Sequence, residues 1–320
     1  MTTSLVEATS IWVDGHLVPW HDAKFHVLSL AVQFGSSVFE GVRCYETSQG
    51  PAIFRLHEHL ERLAHSCRVF RMEHPYDADA LVAACRETVE ANALGDCYLR
   101  PMVLRGYGAA GMLPVGSPVH VVIPAWPWGA YLGAEALERG VDVCVSSWQR
   151  AHPNTFPISA KAAGNYNNAQ LIKMEAVANG YAEGIALNTE GLVSEGSGQN
   201  LFVVKKGALV TPPIDGSNLA GITREAIVHL AGDLGIPVRE GPIPRETLYS
   251  ADELFFTGTA SEVTPIRSVD RVPVGSGTAG PITKTIQRRF MQTVRGELLD
   301  ERGWLTMVRP ATHATRRASA

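Results

Sequence analysis

Apolar and polar positions in the first half of the chain predict a hairpin, two helices and two strands. Two apolar runs flank Asp14-Gly15, a dipeptide typical of a tight β-hairpin turn. Apolar residues recur at helical spacing over Arg55–Phe70, and Asp77–Ala93 has the same pattern. Strands are predicted at Tyr98–Leu104 and His120–Ala125. We therefore expect an antiparallel sheet with helices packed against it.

Short strands and longer helices alternate in the second half of the chain. The predicted strands are Val141–Val145, Gly184–Leu187, Leu201–Val204, Leu209–Thr211 and Leu254–Thr257, and the predicted helices are Asn165–Ala178, Ile222–Leu234 and Pro281–Leu298. Gly235 follows one of these helices directly, at a position where left-handed geometry costs glycine little. Both halves together predict an α+β protein built from two α/β-type domains.

The segment 124–131 separates these two patterns. Two prolines and a glycine interrupt it, yet it keeps three large aromatic side chains. It is either a plain hydrophobic loop or an interdomain linker that lines a pocket, since ligand clefts favour domain junctions. We expect a small N-terminal α/β domain over 1–125, a linker over 126–136 and a large C-terminal domain over 137–307. A disordered tail is expected over 308–320, which lacks apolar periodicity.

Composition and charge point to a soluble globular protein that acts on small molecules. The chain has 320 residues, of which 45% are hydrophobic, enough for a large core. Its formal net charge of -4 is too small to attract nucleic acid or a membrane surface. The N-terminus lacks the basic start and apolar core of a signal peptide, and no apolar stretch reaches membrane-spanning length.

Cysteine and histidine positions argue against a disulfide framework and against a metal site. The cysteines are scattered and contain no C-x-x-C pair: Cys44, Cys67, Cys85, Cys97 and Cys144. His57 and His59, near His65, are two positions apart in a predicted helix and therefore point to different faces. We expect no metal and a cytoplasmic location.

Four short segments of the second half contain candidate binding or catalytic residues. Ser159–Tyr166 sets Lys161 among small residues, although a lysine in such a stretch is most often solvent-exposed. Ser194–Asn200 follows a short strand and by itself is only a turn. Gly221–Glu225 begins a predicted helix, where free amides and the helix dipole favour a phosphate. Thr257–Glu262 ends a strand in a glycine turn whose consecutive amides suit an anion.

The order and combination of these segments, with the arginine-bearing Glu58–Leu63, resemble the class IV aminotransferases. These form the pyridoxal 5′-phosphate (PLP) fold type IV group, and the likeness is specifically to the bacterial branched-chain aminotransferases. The resemblance extends over Ile11–Met307. It implies a D-amino-acid-aminotransferase-like fold, PLP as the cofactor and residues 137–307 as the PLP-binding domain.

The resemblance implies a role in cofactor binding for seven residues. Lys161 carries PLP as a Schiff base, and Tyr166 donates a hydrogen bond to the ring oxygen. Glu195 faces the pyridine nitrogen and keeps it protonated, so that the ring withdraws electrons. The implied phosphate ligands are Arg62, Ile222, Thr223 and Thr259. Arg62 also has a plain interpretation as a surface residue, because Glu58 lies four positions earlier on the same helix.

The resemblance also implies a pocket for the substrate. Tyr98 and the amides of Thr259 and Ala260 hold the α-carboxylate. Arg100 pairs with the distal carboxylate of glutamate or 2-oxoglutarate. The apolar wall that receives a branched side chain consists of Phe39, Trp128 and Tyr131.

Three further residues concern the assembly and the departures from the family, and two of them, Met112 and Phe34, belong to the predicted pocket. Met112 matches a loop that reaches a neighbouring subunit's site, so a homodimer or a multiple of dimers is implied. Phe34 stands where many relatives have tyrosine, which removes one hydroxyl from the pocket wall. Gln199 stands where many relatives have an acidic residue, which leaves the surroundings of Glu195 open.

We expect a ping-pong transamination between leucine, isoleucine or valine and 2-oxoglutarate, in which Lys161 moves the Cα proton. Within the same fold, a transaminase of D-amino acids or (R)-amines is an alternative. A PLP-dependent lyase resembling aminodeoxychorismate lyase, which eliminates pyruvate, is another. A PLP-binding protein without catalysis is a third.

Overall fold

The computed structural model describes residues 5–108, 111–129, 133–214 and 216–309. In these ranges the helices are α1 (Leu30–Phe34), α2 (Leu56–Phe70), α3 (Ala78–Ala91), α4 (Ala134–Arg139), α5 (Asn165–Ala178), α6 (Ile222–Asp233) and α7 (Pro281–Val294). Short 3-10 helices lie at Trp20–Asp22 and Arg245–Ser250. No helix in this part of the chain is long and apolar enough to cross a membrane.

The strands of the described residues are short. In chain order they are β1 (Ser10–Val13), β2 (His16–Pro19), β3 (Ser37–Phe39), β4 (Val42–Thr47), β5 (Gly50–Phe54), β6 (Cys97–Leu99), β7 (Met102–Arg105), β8 (Val119–Ile123), β9 (Ala125–Pro127), β10 (Val141–Val145), β11 (Glu183–Leu187), β12 (Val193–Gly196), β13 (Asn200–Lys205), β14 (Ala208–Thr211), β15 (Val238–Glu240), β16 (Glu253–Gly258), β17 (Glu262–Val269), β18 (Val272–Pro273) and β19 (Leu305–Met307).

These strands form three sheets within the described ranges. The first has the order β2-β1-β8-β7-β3 and another has the order β19-β5-β4-β6-β9. Both are antiparallel throughout, as predicted for the first half, although the pattern did not predict two sheets. The third runs β12-β11-β10-β17-β16-β13-β14-β15, with β18 beside β17, and mixes parallel and antiparallel pairs. The α+β class is therefore confirmed.

The predicted hairpin and helices are present with small shifts at their ends. Asp14 and Gly15 have φ of 47° and 98°, the left-handed geometry of a two-residue hairpin turn. Gly235 has φ of 69° after α6, as predicted. The last helix ends at Val294 instead of Leu298, because Gly296 turns left-handed with φ of 65° and closes it.

Two predicted strands are wrong in one respect: each is broken in the middle. Tyr98–Leu104 is two strands, β6 and β7, separated by Arg100-Pro101, and His120–Ala125 is divided at Pro124. Proline has no N–H to donate to a strand ladder, so the chain leaves one sheet here and enters another. Between β3 and β4 the chain makes the same change of sheet at Glu40-Gly41.

The three crossings lie side by side. The Arg100 amide donates to the Pro124 carbonyl at 3.0 Å, and the Glu40 amide donates to the Pro101 carbonyl at 2.7 Å. The segment around Lys161 joins the same place, because its carbonyl accepts from the Phe39 amide at 3.0 Å. Side chains of both halves of the chain therefore meet where the sheets change.

The apolar core follows the sheets. One cluster packs α2 and α3 against the first-half strands, and others cover the large mixed sheet, one of them through α6 and α7. All five cysteines are free and buried. Near the end of the described chain β19 pairs with β5, and Val308 is buried. The division into two domains stays a prediction, and residues 310–320 of the predicted tail lie outside the described residues.

Candidate active site

A cleft with about 770 Å³ of atom-free space, open to solvent, lies against the sheet crossings. Its walls contain every residue for which a role in cofactor binding is predicted, drawn from α2, the Lys161 segment, the large sheet and α6. These residues are Arg62, Lys161, Tyr166, Glu195, Ile222, Thr223 and Thr259. Residues up to 197 positions apart in the sequence, from 62 to 259, thus converge on one space.

Lys161 is held on both sides of its backbone. Its amide donates to the Ser66 hydroxyl at 3.0 Å, and its carbonyl accepts from the Phe39 amide. Its amine lies beside the Tyr166 hydroxyl and 5.0 Å from the centre of the Phe39 ring. The lysine therefore extends into the cleft from a fixed backbone. It is not the solvent-exposed surface residue that a lysine in such a stretch most often is.

One end of the cleft suits an anion. Ile222 and Thr223 open α6, so their amides have no carbonyl of an earlier turn to bind. The approach to this helix end is close: a β-carbon at Gly221 would lie 1.9 Å from the Asn200 amide oxygen. A side chain at Gly221 would therefore displace Asn200. The free amides and the helix dipole together favour a phosphate.

Arg62 lies at this end and is held by a buried carboxylate. Its Nε and Nη2 donate to the two oxygens of Glu40 at 2.7 and 2.8 Å, and Nη1 donates to the Ala220 carbonyl at 2.7 Å. Of the five guanidinium N–H groups, two remain for a ligand. The alternative pairing with Glu58 does not form, because Glu58 binds Arg55 at 2.6 Å.

Glu40 also contacts His59. The His59 Nδ1 lies 2.7 Å from the Glu40 Oε2, the oxygen that accepts from the Arg62 Nη2. Burial by itself would raise the pKa of the Glu40 carboxyl, but Arg62 and His59 bring it down to about 2. Burial lowers the pKa of His59, against the pull of Glu40. Glu40 is therefore ionised at neutral pH and fixes the direction in which the Arg62 guanidinium points.

The Glu195 carboxylate is buried in the wall of the same cleft. One of its oxygens accepts from the Asn200 side chain and from the Leu219 amide, each at 3.3 Å. The other lies 3.2 Å from an Arg150 nitrogen. Burial raises the pKa of Glu195, while Arg150 and the Leu219 amide oppose the rise. The cleft thus contains an anion-binding helix start, a buried carboxylate and an amine.

A second cleft with about 820 Å³ of atom-free space adjoins the first at Lys161 and Tyr166. It contains most of the predicted substrate residues: Phe39, Tyr98, Arg100, Trp128, Thr259 and Ala260. The Arg100 guanidinium lies 4.9 Å from the centre of the Phe39 ring and 5.2 Å from that of Tyr98. A β-carbon at Gly41 would lie 1.8 Å from the Tyr98 hydroxyl, so glycine admits this tyrosine. An aromatic wall and a partly buried cation therefore face one space.

The other predicted substrate residues are placed elsewhere or not described. Phe34 and Met112 are not among the lining residues, and their exposed fractions are 49% and 81%. Tyr131 lies outside the described residues. Among the described residues, no group of three histidine, cysteine or acidic side chains is arranged to hold a metal.

Sequence reasoning missed three polar residues that support the site. Glu40 directly follows Phe39 in the sequence but received no role, and Asn200 ends the motif of Glu195. Arg150 belongs to no motif. Its partners lie between 18 and 47 positions away, so no local pattern predicts them.

The residues 37–269 match the family model of amino-transferase class IV. The branched-chain-amino-acid aminotransferase of Escherichia coli (strain K12) is 51% identical over 309 residues, 96% of this chain and 99% of that protein. A crystal structure of the Escherichia coli enzyme covers 95% of this chain and 100% of its own, with a TM-score of 0.93 and 51% identity. The branched-chain amino acid aminotransferase from Thermobaculum terrenum in its PLP form covers 95% and 99%, with a TM-score of 0.88 and 34% identity.

Proposed function

The chain belongs to the class IV aminotransferases and, among them, to the branched-chain-amino-acid aminotransferases, and from this premise we propose what each part of its site does. It is a transferase of amino groups and uses PLP. Its reaction is the transamination of branched-chain L-amino acids with 2-oxoglutarate, giving branched 2-oxo acids and L-glutamate. The matched relatives lend no support to the D-amino acid, (R)-amine or lyase alternatives.

The residues of the first cleft fit PLP. The cofactor has a phosphate, a basic ring nitrogen and an aldehyde, and the cleft offers the start of α6 with Arg62, the Glu195 carboxylate and the Lys161 amine. When bound, PLP supplies an electron sink for the electrons left when the substrate Cα loses its proton. The single observation that carries the proposal is the convergence of these three partners in one cleft.

The chain's own groups then have distinct tasks. Lys161 binds the cofactor and moves the proton at the substrate Cα, with its amine beside the Tyr166 hydroxyl. Ile222, Thr223, Arg62 and Thr259 hold the phosphate. Cofactor binding and proton transfer thus involve residues of the same cleft.

Substrate recognition is proposed for the second cleft. Tyr98 and the turn at Thr259 and Ala260 would hold the α-carboxylate, and Phe39 and Trp128 would contact an aliphatic side chain. The Arg100 Nε is buried and has no hydrogen-bond partner among the described residues. A distal carboxylate would satisfy it, so one pocket accepts both an aliphatic and an acidic side chain.

A donor screen with 2-oxoglutarate tests this function. We expect exchange with L-leucine, L-isoleucine and L-valine, and rates at least ~100-fold lower with D-leucine and D-alanine, because the carboxylate and side-chain contacts suit one enantiomer. Release of pyruvate without an acceptor, or preference for the D-enantiomers, would contradict it.

The variant Arg100→Met separates the two half-reactions. Loss of a charged hydrogen bond should raise the KM for 2-oxoglutarate by roughly 10- to 100-fold. The single-turnover reaction with L-leucine should keep its rate, since that side chain needs no cation. An equal loss in both half-reactions would assign Arg100 a general structural role instead.

A homodimer is proposed as the smallest assembly. Exposed apolar side chains lie on two segments, with Val32 and Phe34 on one and Met112, Leu113 and Val115 on the other. The Leu30 amide binds the Gly106 carbonyl at 3.2 Å, which joins the two segments at their bases. An exposed apolar surface of this kind is typical of an interface. Covering it with a second copy would bring Phe34 and Met112 towards the partner's cleft.

Light scattering on the enzyme and on Leu113→Asp with Val115→Asp tests the assembly. We expect a dimer, or a multiple of it, for the enzyme and dissociation with a raised KM for the variant. Glu301→Lys, at an exposed position outside this surface, is the control. A fully active monomer would contradict the proposal.

A further inference from the structure

Arg150 is a buried cation in the wall of the cofactor cleft, and nothing so far assigns it a role. It follows the loop after β10, and its amide donates to the Leu187 carbonyl at 2.9 Å. Its side chain is almost fully buried, as is that of Glu195 beside it. A buried charge needs partners that compensate it, because removing a charge from water costs free energy.

The contacts of the guanidinium surround Glu195. Nη2 donates to the carbonyls of Gly196 and Ser197 at 2.6 and 2.9 Å, and Nη1 donates to the Asn168 side chain at 2.9 Å. Both Nη2 hydrogens are thereby used. Nη2 and the Glu195 carboxylate, 3.2 Å apart, therefore form an ion pair without a hydrogen bond between them. Arg150 fixes the backbone next to Glu195 and also acts on it through charge.

We propose that Arg150 is a positioning residue that keeps the proton of the Glu195–cofactor pair on the ring nitrogen. This inference rests on the proposed place of Glu195 against that nitrogen. A single proton is shared between a carboxylate and a ring nitrogen, so whichever base is weaker loses it. A cation at 3.2 Å weakens the carboxylate as a base, and the proton stays on the ring.

The surroundings of Glu195 leave Arg150 as the nearest cation. Asn200 and the Leu219 amide are neutral donors, and they contact the carboxylate oxygen that Arg150 does not. Burial raises the pKa of Glu195, and Arg150 is the strongest of the influences that lower it. Lys161 and Arg62 also face Glu195 but act more weakly. Without Arg150 the carboxylate would become the better base of the pair.

The test uses the holoenzyme loaded with PLP that carries ¹⁵N in the ring, because the ¹⁵N chemical shift distinguishes a protonated from a neutral ring nitrogen. The main variant is Arg150→Gln, which is neutral and can still donate to a carbonyl. An opposite charge within about 4–6 Å changes a carboxyl pKa by about 1–3 units. The ratio of ring-protonated to carboxyl-protonated forms should therefore fall by roughly 10- to 1,000-fold in the variant.

Two variants isolate the charge from the geometry. Arg150→Lys keeps the charge but loses the planar fork, and should keep the wild-type ¹⁵N shift. Asn168→Ala removes a partner of Arg150 without changing any charge, and should also keep it. Should Arg150→Gln fail to fold, Arg150→Met is the second neutral variant. A neutral ring nitrogen in Arg150→Lys would overturn the proposal by itself.

A Glu195→Gln sample separates the failure of this inference from the failure of the proposed function. If the ring nitrogen of the wild type is neutral, or Glu195→Gln leaves its shift unchanged, the place of Glu195 is wrong. If both behave as expected and a folded Arg150→Gln keeps the wild-type shift, only the role of Arg150 is overturned.

Discussion

Replacement of Lys161 by alanine should reduce leucine–2-oxoglutarate exchange by a factor of at least ~10³, the largest effect expected of any single substitution. A positioned general acid–base contributes about 10²–10⁴ to a rate, and Lys161 is also the proposed covalent attachment point. The protein should still fold, because both backbone hydrogen bonds of Lys161 are independent of its side chain.

The matched control is Lys284→Ala, at an exposed position of α7. Borohydride reduction followed by peptide mass spectrometry should attach the cofactor to Lys161 in the wild type and in the control, and to no lysine in Lys161→Ala. Full exchange by Lys161→Ala, or cofactor attached to another lysine, would show that the assignment is wrong.

The local parts of the site could be predicted from the sequence. The glycine before α6 and the glycine turn after β16 are short motifs whose backbone chemistry is set by a few neighbouring residues. Lys161 and Glu195 were predicted through the resemblance and not through local chemistry, since a lone lysine favours solvent. The structure brings both into the cleft with Arg62 and Tyr166.

The long-range parts could not be predicted. Glu40 and Arg62 are 22 positions apart and meet only because α2 packs beside the crossing from β3 to β4. His59 was considered as part of a possible metal cluster, whereas it lies against Glu40. The break at Arg100-Pro101 had a usable signal, since a proline inside a predicted strand argues against an unbroken one. A change of sheet at that break depends on pairing partners far away in the sequence.

Replacement of Arg62 by methionine should destabilise the protein by about 3–5 kcal/mol, the usual cost of leaving one member of a buried ion pair alone. Glu40 is fully buried, and Arg62 supplies two of its contacts. The affinity for PLP should fall as well, because two free N–H groups of Arg62 are proposed to bind the phosphate. Urea denaturation with and without saturating PLP separates the two losses.

The control is Arg68→Met, at an exposed position on the same helix. It should change the free energy of unfolding by at most ~0.5 kcal/mol.

The double variant Arg62→Met with Glu40→Gln should recover at least half of the lost stability, because it removes the unpaired charge. It should not recover the affinity for PLP. A double variant that is as unstable as Arg62→Met would mean that packing, and not the buried charge, causes the loss.

The difference in stability between the wild type and Arg62→Met should also depend on pH. In the wild type the pKa of Glu40 lies at about 2, below the ordinary 4.5, so its ion pair stabilises the fold above about pH 4.5 and is lost as the pH falls towards 2. The loss amounts to about 3 kcal/mol.

In Arg62→Met, burial raises the pKa of Glu40 and only His59 opposes the rise, so this pKa should lie above the ordinary value. Acid then neutralises the buried charge and stabilises the variant. The difference in unfolding free energy between the two proteins should narrow from pH 7 to pH 4, and a constant difference would show that Glu40 is not the group responsible.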